Sequence, residues 1–239
     1  MELAIDNQGY RRKYVAFLDV LGFSALVRAG DSDPAIRQLI HGIVAILRET
    51  LARNPRTGFQ FTQFSDCIVI SANCNLLGLY AVFSGCRMLA TNLLSHGILL
   101  RGGIAMGNMI HTDSELFGMG LVAAHGFDQS GGVPRIALDQ ELIAEVASYG
   151  ADLGFEEQVR NDPVDQTAML HTLLEFEDYD PTRVAGKVVL DGIAARIARQ
   201  ISHCASNPEL GPSVTAKWKW FRDYWNRSVD PRNILPLAN

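Results

Sequence analysis

At 239 residues, 48% of them hydrophobic and 20% charged, the chain has the make-up of a globular protein able to bury a substantial core. A formal net charge of -5 and a pI near 5.7 exclude the basic footprint of a nucleic-acid binder. Mean hydropathy is +0.07 and no uninterrupted apolar run reaches the ~18 residues of a membrane span, so no membrane partner is expected. Cys67, Cys74, Cys86 and Cys204 show no C-x-x-C spacing and read as reduced thiols. The first residues show no basic segment leading into an apolar one. No signal peptide is expected, and the location expected is cytoplasmic.

In chain order, 1–13 reads as a polar lead-in. Tyr14–Val20 is the first strand, apolar except for Asp19, and Gly22-Phe23-Ser24 turns out of it. Asp33 as N-cap and Pro34 at the first helical position open a helix to about Arg53. Its apolar face is Ile36, Leu39, Ile40, Ile43, Leu47 and Leu51, and 54–58 stops it. Strands Phe59–Phe64 and Cys67–Ser71 follow as a hairpin with Ser65-Asp66 at the tip. A helix spans Asn75–His96, then a strand Ile98–Met106, with Asn108–Thr112 pairing back on it across Gly107. Phe117-Gly118-Met119-Gly120 opens a helix to about Ser130. Val133–Leu138 is a strand, Asp139–Tyr149 a helix, 150–167 a loop and Ala168–Phe176 a strand. Helices Pro181–Ala205 and Pro212–Tyr224 end the chain.

The order β-α-β-β-α-β predicts an α+β fold with a ferredoxin-like core. The C-terminal helices extend it. That topology sets the end of the first strand beside the hairpin, so Asp19 and Asp66 should face each other. Paired carboxylates repel unless a proton or cation separates them. Oxygen donors select hard ions, Mg²⁺ or Mn²⁺, and two such ions suit phosphoryl transfer. Either acid alone also fits a plain turn-capping role. Gly22, Phe23 and Ser24 can present backbone N–H groups to phosphate. Arg101, mid-strand among apolar neighbours, needs an anion, either a structural carboxylate or a triphosphate. Arg135 is similar. Lys217, in the tryptophan-rich last helix, can point at phosphate or into solvent.

Three segments together resemble class III nucleotidyl cyclases. Phe17-Leu18-Asp19-Val20-Leu21-Gly22-Phe23-Ser24 is similar to their Phe-x-Asp-Ile-x-Gly-Phe-Thr metal and phosphate segment. Phe64-Ser65-Asp66 stands where they carry Gly-Asp, and Arg101-Gly102-Gly103-Ile104-Ala105-Met106-Gly107 resembles their Arg-x-Gly-Ile-x-x-Gly strand. The resemblance covers about 14–140. It departs where purine cyclases carry Val-Asn-x-Ala-x-Arg, here Val122-Ala123-Ala124-His125-Gly126-Phe127, and where they carry a purine-reading Lys, here Thr62.

A narrower resemblance is to the pyrimidine cyclases of Pycsar antiphage defence. Beside those segments it rests on Pro134-Arg135-Ile136 and on the Lys217-Trp218-Lys219-Trp220…Tyr224-Trp225-Asn226 tail. It implies a homodimer with shared active sites that turns UTP or CTP, uracil favoured, into the 3′,5′-cyclic monophosphate and pyrophosphate. The product would activate a separate effector. On this resemblance Asp19, Asp66 and the Val20 carbonyl hold two divalent cations, Mn²⁺ or Mg²⁺. Gly22, Phe23 and Ser24 bind phosphate. Thr62 or Gln63 contacts the base. Arg101, Arg135 and Lys217 supply charge in the transition state. The implied division is 1–13 lead-in, 14–176 cyclase domain and 177–239 C-terminal helices packed on the core. The lost Asn and Arg also fit an inactive nucleotide sensor or an atypical purine cyclase. A polymerase-palm relative shares the paired acids, but the acidic chain speaks against template binding.

Overall fold

The computed structural model describes residues 9–51, 58–129, 132–149, 154–177, 179 and 183–229. Strands β1 (Arg11–Val20), β2 (Gln60–Phe64), β3 (Cys67–Asn73) and β4 (Leu100–His111) form its centre. They lie in the order β2-β3-β1-β4 and pair antiparallel, as a ferredoxin-like core requires. Helices α1 (Phe23–Gly30) and α2 (Pro34–Leu51) connect β1 to β2, and α3 (Leu76–Ser95) connects β3 to β4. Strand β5 (Leu116–Gly118) folds back on the end of β4. Helix α4 (Met119–Gln129) follows. Strand β6 (Ile136–Leu138) then lies parallel to β4, and helix α5 (Gln140–Ser148) comes next. Strands β7 (Val159–Asn161) and β8 (Ala168–Leu170) finish the sheet beyond β6. The chain closes with α6 (Leu174–Glu177), α7 (Val184–Ser206) and α8 (Gly211–Ser228).

Strand β1 is buried on both faces because helices cover both. Tyr14, Ala16, Leu18 and Val20 join Ile68, Ile70, Val82, Phe83 and Leu142 in the main core under α3 and α5. Val15 and Phe17 face the other way, with Val69, Ala105 and Ala124 of α4. Fully burying one such side chain contributes roughly 1.5–3 kcal/mol, and β1 buries five or more in sequence. Helix α4 reaches the sheet this closely because Gly107 and Gly120 meet there. A Cβ on Gly107 would lie 2.5 Å from the Gly120 Cα. A second core joins α7 and α8 to β8 and α3 through Ile197, Ile201, Trp218, Phe221, Trp225, Met169 and Leu94.

Several boundaries differ from expectation. Strand β1 takes in Arg11–Lys13 from the expected lead-in, of which 1–8 lie outside the described residues. A helix, α1, follows Gly22 directly; it is short, and its start has no side-chain cap to announce it. The stop at 54–57 and the start at Pro181 lie outside the described residues. Strand β4 does not turn at Gly107, which pairs with Lys13 inside the ladder. The turn comes at Thr112, whose hydroxyl accepts from the Ser114 and Glu115 amides. Residues 117–118 belong to β5, so the helix expected from Phe117 begins at Met119. The expected loop 150–167 holds β7, and the strand expected to run to Phe176 ends at Leu170. There His171 turns inward between Tyr224 and Glu177. Helix α3 has the length and hydropathy of a membrane span. In this fold half of that window is buried, largely against the sheet.

Candidate active site

Asp19 occupies the last turn of the pleat before β1 ends, opposite Cys67 on β3 and Arg101 on β4. The β2–β3 turn is two residues long, with Ser65 in a left-handed conformation at φ 54°. Its Asp66 is drawn to the end of β1 from two sides. The Val20 amide donates to the Asp66 carbonyl at 2.8 Å, and the Ser24 hydroxyl donates to Asp66 Oδ2 at 3.4 Å. Between Val20 and Ser24 the chain turns at Gly22, whose φ of 81° is the left-handed conformation that a side chain disfavours. That turn opens α1, so the Phe23 and Ser24 amides belong to the helix N-terminus, where backbone donors point outward and favour anions. The Phe23 side chain is buried in the core and leaves only its amide for such a role.

The expected acids, glycine turn and Arg101 are therefore brought to one point. Arg101 is held there by two carboxylates: Nη2 donates to Asp19 Oδ2 at 3.1 Å and Nε donates to Asp128 Oδ1 at 2.7 Å. Asp128, on α4, is the member that sequence reasoning missed. A strand arginine among apolar neighbours announces some anion, but nothing local tells which acid of a later helix supplies it. Burial raises the Asp19 carboxyl above its usual range. Asp128 and Asp66 push the same way, and Arg101 and Lys217 oppose them. Lys217, half-buried on α8, is thus close enough for its charge to be felt at Asp19. Burial and the same acids push the Cys67 thiol up to about 11.

Among the described residues no three His, Cys, Asp or Glu side chains converge as a ready metal cage. What converges is a set of acidic oxygens from Asp19 and Asp66, with the Val20 backbone between the two acids. That donor set fits hard divalent cations and gives no purchase to soft ones.

Three expected site residues lie elsewhere. Arg135 lines a cavity of about 130 Å³ together with Arg101. Its guanidinium is nevertheless taken up by Asp162 at 2.6 Å and by both oxygens of Asp165 at 2.8 and 2.6 Å. The Trp220 indole donates to the same Asp162. This is a structural clamp between β6, the β7–β8 turn and α8, and it leaves no free fork for a phosphate. Thr62 pairs with Val69 and so shares the sheet face of Asp19, but its hydroxyl is bonded to His111 Nε2 at 2.9 Å. Gln63 pairs with Ile68 and lies on the opposite face. The alternation of a strand separates these two neighbours, so they cannot share one contact.

No family model matches the chain, and no curated protein matches it in sequence. Solved structures resemble it at a distance. One is the non-canonical dimeric guanylyl cyclase domain of the RhoGC fusion protein from the aquatic fungus Blastocladiella emersonii. It is 12% identical over 67% of this chain and 93% of that one, with a TM-score of 0.47. A bacterial light-regulated adenylyl cyclase is 14% identical over 77% of this chain and 58% of that one, at 0.46. A class III adenylyl cyclase-like ATP-binding protein from Pseudomonas aeruginosa is 12% identical over 59% of this chain and 37% of that one, at 0.41.

Proposed function

We propose that this chain is a nucleotidyl cyclase that converts a nucleoside triphosphate into its 3′,5′-cyclic monophosphate and pyrophosphate. The observation that carries the reading is the meeting of Asp19, Asp66 and the left-handed Gly22 turn at the mouth of α1. Paired acids beside a phosphate-sized cluster of outward amides are what an attacking hydroxyl and a triphosphate both need. Asp19, Asp66 and the Val20 carbonyl would hold two divalent cations, Mg²⁺ or Mn²⁺. Bound there, such ions make a ribose 3′-hydroxyl more acidic and neutralise departing pyrophosphate. The Phe23 and Ser24 amides orient the phosphates, and Ser24 also steadies Asp66. Arg101 balances the charge of Asp19 and Asp128. Lys217 is the basic group left to meet charge developing on the phosphates.

The preferred substrate in this reading is a pyrimidine triphosphate, UTP before CTP, on the sequence resemblance and on the absence of a lysine at Thr62. The product would act as a messenger for a separate effector in antiviral defence, in the cytoplasm. The catalytic unit is 14–176, with 177–239 as its C-terminal addition. The working form is a homodimer. Met119 and Val122 on the outer side of α4 are 63% and 60% exposed, and Phe64, at the sheet edge on that face, is 47% exposed. Exposed large apolar side chains on one face favour a partner surface.

The test is to incubate the purified protein with ATP, GTP, CTP or UTP and Mn²⁺ and identify products by mass spectrometry. A cyclic pyrimidine product that disappears in Asp66→Ala is expected. No cyclic product from any of the four would overturn the reading. Product that persists in Asp66→Ala would overturn the metal assignment.

A further inference from the structure

Behind the glycine turn lies a second concavity, which borders the site proposed above at Gly22 and Lys217. It is a cleft of about 370 Å³ walled by α1, by the turn that leads into β4, and by the facing ends of α7 and α8. Small-molecule sites commonly have a volume of roughly 300–1,000 Å³, an apolar lining and a few placed polar groups. This cleft matches on each count. Ala25 and Ala29 keep the α1 wall low, Ile98 and Leu99 form the floor, and Val214 and Trp218 form the opposite wall. Among the described lining residues none is acidic and Lys217 is the one fixed charge. The other polar side chains there, His96, Gln200 and His203, can all donate hydrogen bonds.

We infer that this cleft is a binding site for a small amphiphilic anion, an apolar body carrying one carboxylate that meets Lys217. The apolar walls select the body, and the cation, with no acid beside it in the cleft, selects the head. The site is continuous with the glycine turn. Leu21 and Gly22 line it, and the Leu21 amide donates to the Leu99 carbonyl at 2.9 Å.

The test needs no nucleotide, so it stands or falls apart from the cyclase reading. The full chain is titrated with 8-anilinonaphthalene-1-sulfonate, and the fluorescent probe is then displaced by octanoate, decanoate or decanol at low salt. Saturable binding of one probe per chain is expected. Decanoate should displace it about 15-fold more tightly than octanoate, since each added CH₂ is worth about 0.8 kcal/mol or about fourfold. Decanol should be at least fivefold weaker than decanoate. Lys217→Met should reduce decanoate to the affinity of decanol and leave decanol unchanged. Ala29→Phe and Val214→Phe, which fill the cleft from opposite walls, should each weaken the probe at least tenfold. Ala29 is exposed on α1, so that variant decides the matter if the other fails to fold. Absence of saturable binding, or normal binding by folded Ala29→Phe, would overturn the site. Equal displacement by decanol and decanoate, or no effect of Lys217→Met, would overturn the anionic class.

Discussion

Asp19 and Arg101 stand opposite each other on β1 and β4 and share an ion pair of 3.1 Å, while Asp128 holds the far side of the same guanidinium at 2.7 Å. All three side chains are less than one-fifth exposed. One cation therefore stabilises two acids, and taking it away leaves two half-buried carboxylates facing each other. Arg101→Met should cost about 3 kcal/mol, the scale of breaking a buried pair by deleting one partner. Denaturant unfolding checks the loss. Mn²⁺ should restore more stability to the variant than it adds to the parent, because the freed acids gain a substitute cation. A variant as stable as the parent, or one indifferent to Mn²⁺, would contradict this account.

Asp19 carries the opposite expectation. Its carboxyl is raised above the usual range, so the charged form is less stable in the folded chain than in the unfolded one. At neutral pH the acid is therefore a cost to the fold. Asp19→Asn removes the charge with little change of shape, and Arg101 keeps Asp128. The melting temperature should hold or rise, while cyclic product falls at least a hundredfold. Such a trade of stability for activity marks a functional group. Loss of both together would mark Asp19 as structural.

Arg135 is expected to matter for stability alone. Asp162 is 1% exposed, and its charge is compensated by Arg135, with Trp220 adding a hydrogen bond. Arg135 also holds Asp165 well below the usual carboxylate range. Arg135→Ala should destabilise the chain by about 3 kcal/mol. Turnover by the fraction that remains folded should stay within a few-fold of the parent. A hundredfold fall in kcat with normal folding would restore Arg135 to the catalytic set.

If the exposed side of α4 is the homodimer face, Met119→Glu together with Val122→Lys should yield monomers. Light scattering after size-exclusion chromatography reads this directly. Both side chains are mostly exposed, so melting of the separated chain should change little. In the proposed cyclase, with active sites shared between the subunits, activity should fall with the dimer. Dimers that persist would place the interface elsewhere.

Much of this molecule was legible in the sequence, for physical reasons that differ from place to place. The apolar run Tyr14–Leu18 reads as a buried strand, and Asn75 and Asp139 announce α3 and α5 by capping with their own side chains. The pairing of Asp19 with Asp66 followed from topology, since a ferredoxin-like order fixes which strand ends are neighbours. Helix α1 was hidden because its start rests on Gly22 rather than on a capping side chain. Asp128, Asp162 and Asp165 were hidden for another reason. Each is one acid among many, and only the folded chain shows which arginine it meets. Thr62 and Gln63 looked equivalent in sequence, and the pleat sends them to opposite faces.

His111 gives the chain an acid-sensitive joint away from Asp19 and Asp66. It ends β4, is 4% exposed, and bridges Thr62 Oγ1 and Ser71 Oγ at 2.9 Å each. Burial lowers its pKa to about 4, Lys13 pushes the same way, and Asp113 opposes them weakly. The folded chain thus keeps this imidazole neutral, whereas the unfolded chain protonates it near 6.5. Stability is fully present above pH 6.5 and is lost as the pH falls toward 4, because over that window the unfolded state binds the extra proton. The shift corresponds to roughly 3 kcal/mol at its limit. Urea unfolding at pH 7.5, 6, 5 and 4 should show the decline, and His111→Asn should flatten it by that amount while costing some stability at pH 7.5 through imperfect bridging of Thr62 and Ser71. Equal slopes in the two proteins would show that His111 takes up its proton at the same pH in the folded and unfolded chains, and would contradict this account.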